Sequence, residues 1–242
     1  MVQQVTRVEE EIMYKAIIFD LDNTLLNYSL SELDSMKRTV RDHQLLADEE
    51  MEWGAFWATY TKHNFRHWMD FVNKTGTHQS IEDVLISSFR DTLNMNPSQH
   101  EMLSYTYWNH FCNTCYFEGG AEEVLHSLKS QYKLGIISNG IGDAQRKRLT
   151  VGNVRDMFES VIVSDEVGVR KPRKEIFELS LNELELFNHE VLFIGDSLSD
   201  DYHGAKNAGI DFCFYNRDDI QMTSAYQPKY VVNELQELLK VI

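Results

Sequence analysis

The sequence predicts an α/β protein, a doubly wound parallel sheet with an all-helical domain inserted into it. Three observations carry this reading. From residue 113 onward, short apolar runs alternate with helical patterns, the rhythm of strand–helix–strand units in a parallel sheet. Several of these runs, and an earlier one ending at Phe19-Asp20, end in polar residues, as in Ile137-Ser138, Val163-Ser164-Asp165 and Gly195-Asp196, and ligands bind at the carboxyl edge of such sheets. Between residues 28 and 112, in contrast, no stretch reads as a strand and apolar residues recur at helical spacing.

The first strand is predicted at 15–19, where Ala16-Ile17-Ile18-Phe19 has the continuous apolar character of a strand buried on both faces. It stops abruptly at Asp20-Leu21-Asp22-Asn23-Thr24. Two carboxylates at a buried strand tip are costly unless a cation or a function keeps them there. Residues 1–12 are polar and acidic, read as a floppy extension without the apolar stretch of a secretion signal.

Helical periodicity begins at Ser29, where Ser29 and Glu32 fit a capping box and Leu30, Leu33, Met36 and Val40 recur on one face. Trp53, Phe56, Trp57 and Tyr60 continue the spacing, followed by Phe65, Trp68, Phe71 and Val72. Further helices are predicted at 81–93 and 97–111, the latter opening near Pro97. Residues 28–112 therefore form a small helical bundle, read as a lid, inserted into a core made of 13–27 and 113–242. In that core, helices at 121–130, 143–151, 173–185 and 201–208 alternate with strands at 133–137, 160–163, 191–194, 212–215 and 230–232.

Composition narrows the classes of function. The 242 residues are 43% hydrophobic and 25% charged, ordinary for a soluble globular protein. A formal charge of -15 disfavours nucleic acid as a partner. It leaves room for a small anionic substrate, because a bound cation inverts the local sign of charge. No apolar run approaches the roughly 20 residues of a membrane span. Three cysteines give no disulfide framework, so a reduced, cytoplasmic setting is expected. Oligomeric state is not legible.

Four pieces arrive in order along the chain: Asp20-Leu-Asp22-Asn-Thr24, Ser138-Asn139-Gly140, Lys171-Pro172 and Gly195-Asp196-Ser-Leu-Ser-Asp200-Asp201. Together they resemble the four motifs of the haloacid dehalogenase-like (HAD) hydrolase superfamily. The run Ser164-Asp-Glu-Val-Gly-Val-Arg-Lys-Pro172 is similar to its pyrimidine 5′-nucleotidase-like subgroup. The resemblance implies a phosphomonoesterase in which Asp20 is the nucleophile and Asp22 the general acid and base. It makes Thr24, Ser138, Asn139 and Gly140 substrate-binding and Lys171 the compensating positive charge. Mg²⁺ is the implied cofactor, held by the side chains of Asp20 and Asp196 and the backbone carbonyl of Asp22. A further acidic position falls to Asp201 or Asp200, and the distance to Gly209 favours Asp201. The implied partner is a small phosphorylated metabolite, a nucleoside 5′-monophosphate. Sugar-phosphate hydrolysis, a phosphomutase, a metal-independent haloacid dehalogenase and a non-enzymatic binding protein are the alternatives. Asp22 and Asp196 speak against the dehalogenase, and the complete motif set speaks against the binding protein.

Three other signals are set aside. Cys112-Asn-Thr-Cys115, with His110 close by, lacks the second ligand pair of a structural zinc site and reads as a packed pair. His63 and His67 share a helical face without the HExxH pattern of a metalloprotease and read as an exposed or lid-lining face. The aromatic series from Trp53 to Phe71 reads as lid core.

Overall fold

The computed structural model describes residues 14–46 and 49–242. The proposed extension at 1–12 lies outside the described residues. The apolar run at the start becomes strand β1 (Ala16–Phe19), every residue of it buried. It pairs on one side with β2 (Lys133–Ser138), which pairs with β3 (Ser160–Val163). On the other side β1 pairs with β4 (Val191–Gly195), followed by β5 (Asp211–Tyr215) and β6 (Tyr230–Val232). The result is a six-stranded sheet of order β3-β2-β1-β4-β5-β6 with every pairing parallel. The winding direction reverses between β1 and β4, the topological switch point where open α/β sheets place their ligands. Phe19 stands opposite Ile194 there, so Asp20 and Asp196 leave neighbouring strand ends.

The helices before residue 113 are α1 (Tyr28–Asp42), α2 (Glu49–Asn73), α3 (Ile81–Thr92) and α4 (Pro97–Cys112). Along the rest of the chain come α5 (Ala121–Lys129), α6 (Gly142–Val151), the single turn α7 (Ser164–Val167), α8 (Lys174–Leu184), α9 (His203–Ala208) and α10 (Leu238–Val241). In the sheet domain, α8 packs Phe177 edge-to-face on Phe193 of β4 with ring centroids 5.0 Å apart. Both rings are fully buried, each worth about 2–3 kcal/mol of transfer free energy.

The chain divides into two compact units. One comprises the described residues up to Asn27 with Phe117–Gly142 and Asn153–Ile242, and the other comprises Tyr28–Tyr116 with Asp143–Gly152. The division departs from the sequence reading in two places. The helical unit runs to Tyr116 rather than 112, and it takes in most of α6, which the strand–helix rhythm assigns to the core. Arg148 of α6 is the physical reason. Its side chain is 0% exposed, donating to Gln145 Oε1 at 3.0 Å and Ser31 Oγ at 3.4 Å, with its guanidinium 4.7 Å from the Phe111 ring centroid.

Within the helical unit, Met36, Phe56, Tyr60, Leu85, Phe89, Leu103 and Tyr107 form the core. Two of the predicted lid aromatics, Phe56 and Tyr60, are therefore core, whereas Phe65 is 67% exposed. Helix α3 opens with a Ser80–Asp83 capping box, and α4 opens with an Asn96–Gln99 box and Pro97 in its first turn. Helix α1 differs from the sequence reading. It begins at Tyr28, so Ser29 lies inside the first turn, and its buried face carries Ser31, Ser35, Met36 and Thr39 while Leu30 is 43% exposed. Ser35 and Thr39 tolerate burial because their hydroxyls donate to the carbonyls of Ser31 (2.6 Å) and Ser35 (2.8 Å).

Ahead of α9, residues Leu198–Tyr202 form a π-helical turn. Asp201 thus sits inside that turn rather than opening a helix. Cys112, Cys115 and Cys213 are free thiols, and no helix among the described residues is long and apolar enough to cross a membrane.

Candidate active site

Asp20 is anchored at the tip of β1, where its N–H donates to the Ile194 carbonyl of β4 at 2.8 Å. Only 6% of the residue is exposed. Lys171, 2% exposed and between α7 and α8, reaches it with Nζ 2.5 Å from Asp20 Oδ1 and 2.7 Å from Asp201 Oδ1. One buried ammonium thus joins carboxylates that lie 181 residues apart in sequence. Thr24, also buried, places its hydroxyl 3.2 Å from Asp20 Oδ2 and 3.4 Å from Asp196 Oδ1. Having one proton, it donates to one of them at a time. Asp22 lies two residues beyond Asp20, half-buried, in a turn where Asn23 N–H donates to the Leu26 carbonyl at 2.7 Å.

The turn after β2 makes contacts within the protein that the sequence reading does not include. The sequence reading puts Asn139 and Gly140 against the substrate. In the structure the Asn139 amide donates to the Lys171 carbonyl and to Asp200 Oδ2, both at 3.1 Å, while its Oδ1 accepts the Lys171 N–H at 2.8 Å. Both amide hydrogens are engaged, so Asn139 here fixes the backbone that carries the lysine. The Gly140 N–H likewise turns inward to the Ser138 hydroxyl at 3.2 Å, and Ser138 is itself 1% exposed. The Lys171–Pro172 peptide is cis.

The two adjacent acids after β4 separate cleanly. Asp201 is on Lys171, and Asp200 is on Asn139. Asp201 uses its other oxygen to accept the Ser197 N–H at 3.0 Å. Gly195 makes this fit possible, because a Cβ there would lie 2.2 Å from Asp201 Oδ2. Gly195 and Ser197 are site residues that motif reading leaves without a role. Their signal is the Gly-Asp-Ser run itself, but only the folded turn shows which atom needs the space.

Asp20, Asp196 and Asp201 each offer a carboxylate oxygen within 4.8 Å of the others. Against this triad stands Lys171. Burial raises the pKa of Asp20 well above the ordinary carboxylate value; Lys171 opposes the rise while Asp201 and Asp196 add to it. Burial, with repulsion from Asp201, pushes Asp196 up to about 7 against the pull of Lys171. For Lys171, burial works to lower the pKa, but Asp20 and Asp201 outweigh it and hold the ammonium above its usual range. The site therefore carries more carboxylate than its own cation neutralises. A hard divalent cation with oxygen ligands fits that surplus and that donor set.

Residues 17–215 match the family model of the haloacid dehalogenase-like hydrolases. The chain belongs to this family. The hydrolase is 28% identical over 227 residues to the pyrimidine 5'-nucleotidase YjjG of Escherichia coli, an alignment covering 93% of this chain and 96% of that one. It is 30% identical over 240 residues to the glyceraldehyde 3-phosphate phosphatase of Pyrococcus abyssi, covering 95% and 94% of the two chains. Among solved structures, the putative HAD-hydrolase YfnB of Bacillus subtilis, bound to magnesium, superposes with a TM-score of 0.78 at 26% identity, covering 95% of this chain and 98% of that one.

Proposed function

We propose that this hydrolase is a Mg²⁺-dependent phosphomonoesterase that works through an aspartyl-phosphate on Asp20 and acts on nucleoside 5′-monophosphates. The observation that carries the reading is the buried carboxylate of Asp20, tied to Lys171 at 2.5 Å and crowded by Asp196 and Asp201. Such a group is costly to keep and useful as a nucleophile. The side chains of Asp20 and Asp196 and the carbonyl of Asp22 would hold Mg²⁺. When bound, the ion offsets the carboxylate surplus and the charge of the phosphoryl group.

In the first step an oxygen of Asp20 attacks phosphorus, the bond to the leaving oxygen breaks, and the Asp22 carboxyl gives its proton to that oxygen. In the second step water attacks the phosphorus of the aspartyl-phosphate and passes a proton to Asp22. Inorganic phosphate leaves and Asp20 is regenerated. Lys171 stays an ammonium throughout, holding Asp20 in place and balancing charge on the phosphoryl oxygens. Asn139 acts through Lys171 by fixing its backbone.

Similarity to a pyrimidine 5'-nucleotidase over 93% of the chain supports the nucleotide reading. The 30% identity to a glyceraldehyde 3-phosphate phosphatase favours sugar or triose phosphates as the second reading. A phosphate-release screen over both substrate classes, with Mg²⁺ and with EDTA, decides between them. Turnover of nucleotides, dependent on Mg²⁺ and abolished in Asp20→Asn, is the expected result. An Asp20→Asn variant that releases phosphate at the wild-type rate would remove Asp20 as nucleophile.

A further inference from the structure

Within the helical unit lies a chain of ionisable side chains that the reaction does not use. His67, toward the end of α2, is 7% exposed. Its Nδ1 lies 3.0 Å from Nε2 of His78, in the connector between α2 and α3, and its Nε2 lies 3.0 Å from Asp91 Oδ2 on α3. The two imidazoles meet edge-to-face with centroids 5.0 Å apart. Arg66 of α2 pairs with the same Asp91 oxygen and approaches His67 Nε2 at 3.1 Å, while Arg90 Nε lies 3.3 Å from Asp91 Oδ1. The connector has further ties to acidic groups, among them the Ser80 N–H to Asp83 Oδ2 at 3.2 Å. Thr75 Oγ1 donates to Asp70 Oδ1 at 3.1 Å, and the Gln79 N–H donates to Asp83 Oδ2 at 2.8 Å.

Hydrogen-bond chemistry limits how many protons this pair can carry. A neutral His67 either gives its Nε2–H to Asp91 and accepts from His78 at Nδ1, or accepts from Arg66 at Nε2 and gives its Nδ1–H to His78. If His67 takes a proton on Nδ1, the direction reverses and a neutral His78 accepts. Either way, two nitrogens 3.0 Å apart share one hydrogen. A second added proton sets donor against donor and cation against cation at that distance. Desolvation of His67 already disfavours its charged form, with Arg66 and His78 adding to the effect and Asp91 opposing it.

We propose that the His67–His78 pair is an acid-released latch that fastens the α2–α3 connector to α2 and α3 at neutral pH and lets it go when both rings are protonated. The direction follows from linkage. The opened state binds one proton more than the closed state, so closure weakens as pH falls below the ordinary histidine pKa of about 6.5.

Hydrogen exchange of the full chain, corrected for the intrinsic pH dependence of amide exchange, reads the latch. Between about pH 7.5 and about pH 5, protection of residues 72–80 in the wild type should fall roughly tenfold. In His78→Gln, whose side-chain amide donates to Nδ1 without titrating, it should fall less than about twofold. Exchange in β1 and β4 of the same samples is the control and should stay constant. Equal pH dependence in the two proteins, or loss in β1 and β4 at the same pH, overturns the proposal. Imidazole ¹⁵N shifts of the wild type provide a measurement that needs no variant. Coupled titration with a second step well below about pH 6.5 is expected, and two independent titrations near that value overturn the latch.

Discussion

Lys171 has two carboxylates on a single ammonium, and the consequence of removing it follows from burial. In Lys171→Met, Asp20 and Asp201 lose their buried counter-charge, a break that typically costs about 3–5 kcal/mol. Without Lys171 to oppose burial, the Asp20 carboxyl then holds its proton more tightly in the folded state. The variant should therefore lose stability as pH rises, and urea midpoints at about pH 5 and pH 8 should separate more than in the wild type. Gly195→Ala tests the neighbouring contact from the other side. A methyl 2.2 Å from Asp201 Oδ2 must displace that carboxylate from Lys171 and from the Ser197 N–H. The expected outcome is a loss of about 10²-fold in kcat with a much smaller change in KM, measured on whichever phosphate ester the screen selects. At this scale, the grouping of Asp20, Asp196, Lys171 and Asp201 that the structure displays was suggested by the resemblance of four motifs taken together and not by spacing alone, since Lys171 lies between α7 and α8 and Asp201 inside a turn. The contacts of Asn139 were not legible, because its partners Lys171 and Asp200 lie 32 and 61 residues away. No local pattern shows that an amide also holds a distant segment.

Helix α1 shows how an element can be placed correctly and still be misread along its face. Its existence follows from periodicity, but the buried stripe contains Ser31, Ser35 and Thr39 in place of the leucines. Hydrophobicity alone cannot find a face whose hydroxyls are satisfied by carbonyls one turn earlier. The same helix carries Glu32, which burial pushes up to about 7 although a hydrogen bond from Tyr28 works to lower it. A carboxyl whose folded pKa is raised contributes stability that is complete below its unfolded value of 4.5 and is lost as pH rises through about 7. Glu32→Gln removes the ionisation and should flatten this part of the profile. Relative to the wild type, it should gain on the order of 2 kcal/mol between about pH 5 and pH 8, after allowance for partial exposure of the group. Chemical denaturation of both proteins at the two pH values measures this difference. An unchanged difference between the proteins would place Glu32 in contact with solvent in the folded state.

For the molecule as a whole, the doubly wound parallel sheet was legible in the strand–helix rhythm, whereas the order β3-β2-β1-β4-β5-β6 came only from the folded chain. The division into units was only partly legible. Helix α6 follows β2 in sequence like any crossover helix, and it is the long-range burial of Arg148 beside Ser31 and Phe111 that assigns it to the helical unit. The global charge of -15 complicates the remaining question, whether the carboxylate triad binds a divalent ion specifically, since any anionic surface attracts cations weakly. Binding at the site stabilises the folded chain by mass action, about 2.7 kcal/mol at a hundredfold excess over the dissociation constant. For a chain of this size that raises the thermal midpoint by roughly 5–10 °C. Diffuse screening acts on wild type and variants alike, whereas site binding needs Asp196, which burial and repulsion from Asp201 push up to about 7. Adding Mg²⁺ to EDTA-treated protein should therefore raise the midpoint of the wild type and leave Asp196→Asn nearly unmoved at matched ionic strength. Because Asp196→Asn relieves repulsion on Asp20 and Asp201, its midpoint in EDTA should lie above that of the wild type. The two curves should then converge or cross as Mg²⁺ is added, and parallel curves would mean that the ion is held by the surface and not by the triad.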